Sequence, residues 1–266
     1  MFAYDFMVNA FAAAGIVAVL SGLVGYFLVL RGQTFAGHAL SHVGFTGATG
    51  AVLVGVSPLW GLVAMTVLGG VGMGFLGERV GERDVGIGIV LALALGLGLL
   101  FLHFFTAYAS AATALLFGNV LGVDRQTVWT LLALAALAIT ALGLMSRPLL
   151  FASLQPDLAA ARGVPLRLIG VLFLAVVGLA VAECTQIVGV LLVFSLMVGP
   201  AATAQALTAR LALGLVISLV LAVAIAWGGL AAAFYTDWPT SFWISALSGL
   251  GYLAALVGKG KEAVLF

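Results

Sequence analysis

Charge is what this sequence has least of. Only 7% of its 266 residues are Asp, Glu, Lys or Arg, against roughly 25% in an average soluble domain. Ten basic and nine acidic side chains cannot coat a water-soluble body of this size. The missing polar surface must therefore face lipid, and the mean hydropathy of +1.30 agrees. A net charge of +1 provides no basic surface for nucleic acid. The one cysteine, Cys184, cannot close an internal disulfide, so no redox compartment is read from it. Met1 to Asn9 lacks a basic region, and the apolar run that follows is long enough to stay in the membrane, so no cleavable signal is expected. Several motifs are missing as well. No Gly-x-x-x-x-Gly-Lys-Ser/Thr phosphate loop occurs, since Gly258-Lys-Gly-Lys has neither its spacing nor its hydroxyl. Gly-x-Ser-x-Gly, His-Glu-x-x-His and an acidic run within the spans are also absent. Catalysis as the primary activity is disfavoured.

What is present is apolar length and glycine. The runs are long and continuous instead of alternating over about ten residues, which excludes an outer-membrane barrel. The 35 glycines suit close approach of transmembrane helices. The chain reads as an all-α polytopic membrane protein, one transmembrane domain over residues 1–266. A crossing helix needs about 20 apolar residues. Polar punctuation then gives nine spans, near 8–30, 36–55, 60–77, 86–105, 127–146, 167–183, 186–205, 211–233 and 240–257. The sixth and seventh are nearly continuous, about 57 Å if one helix, and are divided at Glu183-Cys184-Thr185-Gln186. With Arg31 cytoplasmic, alternation also puts Arg79, Arg83, Arg147, Arg162, Arg167, Arg210, Lys259 and Lys261 inside and leaves only Arg125 outside. Treating Thr106 to Val123 as a tenth span would reverse most of these, so that stretch is read as a short external or re-entrant helix. The N-terminus is then outside and the C-terminus in the cytoplasm. The one long hydrophilic connection, Ser146 to Arg167, contains a short helix that Asp157 can cap or charge and that Gly163 and Pro165 end. It is either a docking surface or an amphipathic linker.

The candidate chemistry centres on the second span. His38 and His42 are four residues apart, so on a helix they lie one above the other, with Ser41, Thr46 and Thr49 nearby. Neutral imidazole ligates zinc and related ions, and an i, i+4 pair supplies two ligands from one helix. The alternative is two core histidines bonded to backbone carbonyls. Glu183, read as at or just below the outer surface beside Cys184, is either on an ion's way in or a solvated turn residue. His103 and Asp237 read as interfacial and external loop residues. Glu78, Arg79, Glu82, Arg83 and Asp84 read as a solvated cytoplasmic loop.

Several blocks in one order resemble the permease subunits of bacterial ABC importers for zinc, manganese and iron. The family pattern R-x-x-[ST]-F-x-G-D-A-L-[SA]-H-x-x-x-x-G is matched by Arg31, Thr34, Phe35, Gly37, Ala39, Leu40, Ser41, His42 and Gly47. Asp84-Val-Gly-Ile-Gly-Ile, Leu116-Phe-Gly-Asn-Val-Leu-Gly-Val, the block from Gln186 to Ala204 that holds Gly-Val-Leu-Leu-Val and Pro-Ala-Ala-Thr, and Tyr235-Thr-Asp-Trp-Pro-Thr fit as well. The similarity covers about residues 10–255. It implies a type II importer-like bundle and a homodimeric permease on two cytoplasmic ATP-binding subunits, fed by an extracytoplasmic metal-binding protein. No tightly bound cofactor is implied, and a divalent metal ion is the substrate. The helix at about 155–163 becomes a coupling helix, with Gln155, Asp157, Arg162 and Gly163 as its contact residues. Only His42 carries over directly, because His38 stands where the family has aspartate. Exchanging a carboxylate for nitrogen moves the expected ion from manganese toward zinc, with manganese and iron as the other candidates. A secondary transporter working alone and a permease for a metal chelate such as a siderophore or cobalamin are the competing readings. Almost no mid-membrane carboxylates favour the first, and the second usually needs a longer chain.

Overall fold

The computed structural model describes residues 4–76, 80–104 and 116–264, except for the side chains of 80–83 and 259–264. Eleven α-helices are described: α1 (Asp5–Leu30), α2 (Thr34–Leu53), α3 (Pro58–Phe75), α4 (Val80–His103), α5 (Arg125–Leu154), α6 (Pro156–Ala161), α7 (Leu166–Val188), α8 (Val193–Met197), α9 (Gly199–Leu207), α10 (Leu211–Thr236) and α11 (Thr240–Val264). Among the described residues, seven are long and apolar enough to cross a membrane: α1, α3, α4, α5, α7, α10 and α11. α1 and α7 form the axis, with 67% and 72% of their apolar windows buried, whereas the other five bury only 22–28% and turn most of their surface outward. An all-apolar helix with that exposure is stable in hydrocarbon, where every backbone group is satisfied within the helix.

The second, sixth and seventh of the nine expected spans differ. α2 has the length, 20 residues, but is not among the seven apolar helices. Its two histidines, its hydroxyls and four glycines lower its hydropathy, and it compensates by burial between α3, α4 and α7. A Cβ on Gly47 would stand 2.2 Å from the Gly61 carbonyl oxygen, so α2 and α3 touch backbone to backbone. Val43 meets Gly69 on the same interface, which fixes the pair as antiparallel. The other difference lies between the expected sixth and seventh spans. Their division at 183–186 is wrong, because α7 continues through Glu183, Cys184, Thr185 and Gln186 to Val188. Glu183, Cys184 and Thr185 are enclosed by protein and Gln186 is half-buried, so this cluster need not exit into water and does not end the helix. The chain breaks at Gly189, whose φ of 84° and ψ of 161° suit only glycine. It returns as two short pieces, α8 and α9.

Of the stretch 106–123, residues 106–115 lie outside the described residues. Of the rest, Leu116 and Phe117 are helical and a loop follows with a 3-10 turn at Val120–Gly122, where Asn119 Oδ1 accepts from the Gly122 amide at 3.1 Å. Its flanks, Leu102 and Leu116, pack in one cluster with Phe45 and Val190, so α4 ends and the loop resumes at the same end of the bundle. This loop lies across the end of α7. The Leu191 amide donates to the Leu116 carbonyl (3.3 Å), the Asn119 amide to Gln186 (3.5 Å) and the Ser241 hydroxyl to Phe117 (2.7 Å).

At the opposite end, Arg31 ties the α1–α2 turn to neighbouring helices. Its Nη1 donates to Ser153 Oγ on α5 at 3.0 Å, and its guanidinium stands over the Phe173 ring of α7 at 5.5 Å. α6 sits at this end. It is helical over Pro156–Ala161, and Gln155 occupies the N-cap position. The Gln155 side chain makes no cap bond, and Asp157 adds negative charge to the first turn. Gly163, with φ of 78°, ends the turn as expected.

Candidate functional site

α2 carries the candidate ligands along one face. His38 and His42 stand about 6 Å and 12 Å along the helix from Thr34 at 1.5 Å per residue. Their ring centroids are 5.0 Å apart and the rings nearly perpendicular, at 85°. His38 also meets the ring of Phe194, on α8, edge-on at 6.1 Å. The pair therefore faces the first piece of the broken α8–α9 segment, and both rings are half-buried. His42 Nδ1 is enclosed and has no hydrogen-bond partner. An enclosed imidazole nitrogen without a partner is costly for a core histidine and is the arrangement a ligand nitrogen needs. That observation favours the ligand reading over carbonyl-bonded histidines.

The neighbouring hydroxyls do not add to this donor set. Ser41 Oγ donates to the His38 carbonyl at 2.7 Å and Thr46 Oγ1 to the His42 carbonyl at 3.4 Å. Thr46 also donates to the Ala94 carbonyl on α4, and Thr49 to the carbonyls of Phe45 and Thr46 at 2.9 and 3.0 Å. These bonds back onto the helix ladder satisfy the hydroxyls locally. Among the described residues no group of three or more His, Cys, Asp or Glu side chains that could hold a metal occurs. The pair offers two imidazole side chains and, among the described residues, no third His, Cys, Asp or Glu joins them.

Glu183 is not at the outer surface. It is 0% exposed within α7, and neither carboxyl oxygen has a hydrogen-bond partner. The sequence left it either on an ion's way in or as a solvated turn residue, and its burial excludes the solvated turn. In the structure the 116–123 loop and the Gly189 turn close over that end. Cys184 beside it is equally enclosed, with Sγ 4.0 Å from the Val193 carbonyl. Gln155, Asp157, Arg162 and Gly163 are all exposed around α6, as is Leu158, while Ala159 anchors the helix at 0% exposure. His103 is exposed at the end of α4, and Asp237 caps α10 in the left-handed region at φ 56°. Of the expected mixed-charge loop, Glu78 and Arg79 lie outside the described residues, and Glu82, Arg83 and Asp84 belong to the first turns of α4 instead.

Sequence reasoning missed two elements of the site. One is Phe194, the wall opposite His38, whose only sequence signal is its place after Gly189 in the Gly-Val-Leu-Leu-Val-Phe run. The other is the contact between Gly118 and Gly189, both of positive φ, where a Cβ on Gly189 would fall 2.4 Å from the Gly118 amide nitrogen.

The chain's relatives fit this arrangement. The model of the ABC 3 transport family matches residues 3–259. A manganese transport system membrane protein, MntC, from Halalkalibacterium halodurans is 30% identical over 100% of this chain and 91% of its own length. The manganese import system permease protein ScaB of Streptococcus parasanguinis is 28% identical over 76% of this chain and 72% of its own. Among solved structures, PsaBC from Streptococcus pneumoniae in complex with Fab superposes with a TM-score of 0.82, covering 95% of this chain and 91% of that one at 24% identity, and shares the fold.

Proposed function

The chain belongs to the ABC 3 transport family as a membrane permease subunit of a bacterial metal-ion importer, not its ATPase, and from that premise we propose that a divalent transition metal crosses along the face of α2, ligated in passing by His38 and His42. The observation that carries this is the enclosed, unpartnered Nδ1 of His42, 5.0 Å in ring separation from His38. Two nitrogens with water filling the remaining positions bind weakly enough to release, which a conduit requires. Zinc is the first choice of ion, because the pair offers imidazole and no carboxylate. Manganese is the second, supported by the relatives named for it, and iron the third.

The remaining reading is built on this route. Nine crossings operate, the seven apolar helices supplemented by α2 and by the α8–α9 pair, whose break at Gly189 gives the route a movable wall. The N-terminus is extracytoplasmic and the C-terminus cytoplasmic. Two copies of the chain form the permease, an extracytoplasmic metal-binding protein delivers the ion, and ATP-binding subunits press on α6 through Gln155, Asp157, Arg162 and Gly163. Glu183 is a second polar station, reached when the cover over α7 opens.

Metal uptake by cells expressing His42→Ala, with membrane insertion and complex assembly verified, tests the route. Uptake should fall by tenfold or more, on the order of 1.4 kcal/mol of lost ligation, and thermal stability should hold because Nδ1 makes no bond to lose. His38→Asp should raise the ratio of manganese to zinc transported. Undiminished uptake by His42→Ala would remove the histidine pair from the route.

A further inference from the structure

The cytoplasmic reading of α6 leaves unexplained a cleft of 420 Å³ at its root, set among the ends of α1, α3, α5 and α7. We propose that this cleft is a phosphate pocket that holds the headgroup of an anionic phospholipid. The inference is independent of the ion route and holds whichever membrane surface that end of the bundle meets.

Among the described residues, two guanidiniums line the cleft, those of Arg31 and Arg167, with Asp157 the one acidic side chain on its wall. That described lining is net positive. Both arginines are ordered before any ligand arrives. Arg31 is fixed by Ser153 Oγ at 3.0 Å, by Gln33 Oε1 at 3.4 Å and by the ring of Phe173. Arg167 Nη2 donates to the Phe75 carbonyl at 3.4 Å, and its guanidinium lies 5.2 Å from the Phe75 ring. Planar guanidinium forks match phosphate oxygens, and donors already in place reduce the entropy lost on binding.

The surroundings distinguish a lipid from a free ion. Inside the cleft, Leu30, Met73 and Leu174 form an apolar wall beside the charged groups. Outside it, Phe75, in contact with Arg167, and Leu168, next to it in sequence, are each 54% exposed, and Leu76, beside Phe75 in sequence, is 42% exposed. An inorganic phosphate would use only the guanidiniums, whereas a phospholipid uses both, with its phosphate on the arginines and its glycerol and chains against the apolar residues. Basic pockets between membrane helices are built to take such headgroups. A lipid so placed joins the α1–α2 turn, the end of α5, the start of α7 and the root of α6.

Native mass spectrometry tests this on the full chain released from nanodiscs of phosphatidylglycerol and phosphatidylcholine in equal parts. We expect phosphatidylglycerol to be retained over phosphatidylcholine, and Arg167→Gln to reduce its retention about fivefold or more, given the attraction of one surface arginine for anionic lipid. Asp157→Asn should increase retention. Arg31→Gln should act like Arg167→Gln, but Arg31 also braces three elements, so exposed Arg167 is the deciding variant. Arg210→Gln, an exposed arginine outside the cleft, should leave retention unchanged. Equal retention of the two lipids, or equal losses in Arg167→Gln and Arg210→Gln, overturns the proposal. Binding of inorganic phosphate at these arginines without preference between lipids overturns the lipid assignment. Expulsion of the lipid on assembly with the ATP-binding subunits also overturns it, by making the cleft a socket for protein.

Discussion

Replacing Gly189 by alanine tests the turn between α7 and α8, which shapes the wall and the cover of the proposed route. At φ 84° and ψ 161° the backbone there lies in a region that costs an L-residue about 1–3 kcal/mol. The new Cβ would also fall 2.3 Å from the Leu116 carbonyl oxygen and 2.4 Å from the Gly118 amide nitrogen. Both are backbone atoms, so neither can swing aside as a long side chain would. Strain and collision together come to about 3 kcal/mol, taking the upper part of the conformational range. That corresponds to a fall in melting temperature of roughly 6–12 °C for a chain of this size. Gly143→Ala provides the internal control, since nothing stands within 4 Å of a Cβ built there. Being inside α5, it should gain up to about 1 kcal/mol from helix propensity. Thermal unfolding of both variants in one detergent, followed by circular dichroism, reads the difference. If Gly189→Ala melts with the parent protein, the argument from φ and close approach is wrong.

Leu158→Asp puts a charge on the exposed apolar tip of α6, so ATP-binding subunits should no longer copurify, while the melting temperature holds; normal copurification would separate α6 from docking. Asp124 caps α5 by accepting from the Thr127 amide at 2.8 Å, and hydrogen bonding from the Thr127 side chain and then from its amide holds the carboxyl below the usual carboxylate range. Its contribution is therefore complete above the ordinary carboxylate pKa and is lost as pH falls through the lower folded value. Asp124→Ala should melt lower at neutral pH and rejoin the parent in acid, and a gap constant with pH would refute the cap. Glu183→Gln keeps the buried shape and removes the ionisable group, so stability should hold while uptake falls severalfold; unchanged uptake would take Glu183 off the route.

Much of this was legible before any coordinates. Low charge and continuous apolar runs specify a lipid-facing helical bundle, because no other solvent suits that surface. The i, i+4 spacing put His38 and His42 on one face, where their rings meet. Gly163 was enough to end the α6 helix. The break after α7 was not legible, because hydropathy runs on across 167–205 and the polar letters at 183–186 resemble an exit into water. What decides the matter is tertiary: the 116–123 loop shields that polar cluster, and backbone contact at Gly118 demands the turn at Gly189. The fate of Ser41, Thr46 and Thr49 was hidden for a similar reason, since a hydroxyl's choice between an ion and its own helix carbonyl is settled by rotamer.

The modest hydropathy of α2 has a consequence for biogenesis. A segment with two imidazoles and several hydroxyls partitions poorly into a bilayer alone, yet here it is wrapped by greasier neighbours whose glycines accept it backbone to backbone. It should therefore leave the insertion machinery as a hairpin with α3, sheltered from the moment of release. The residues proposed to ligate the metal would then also make membrane integration of this chain a concerted event.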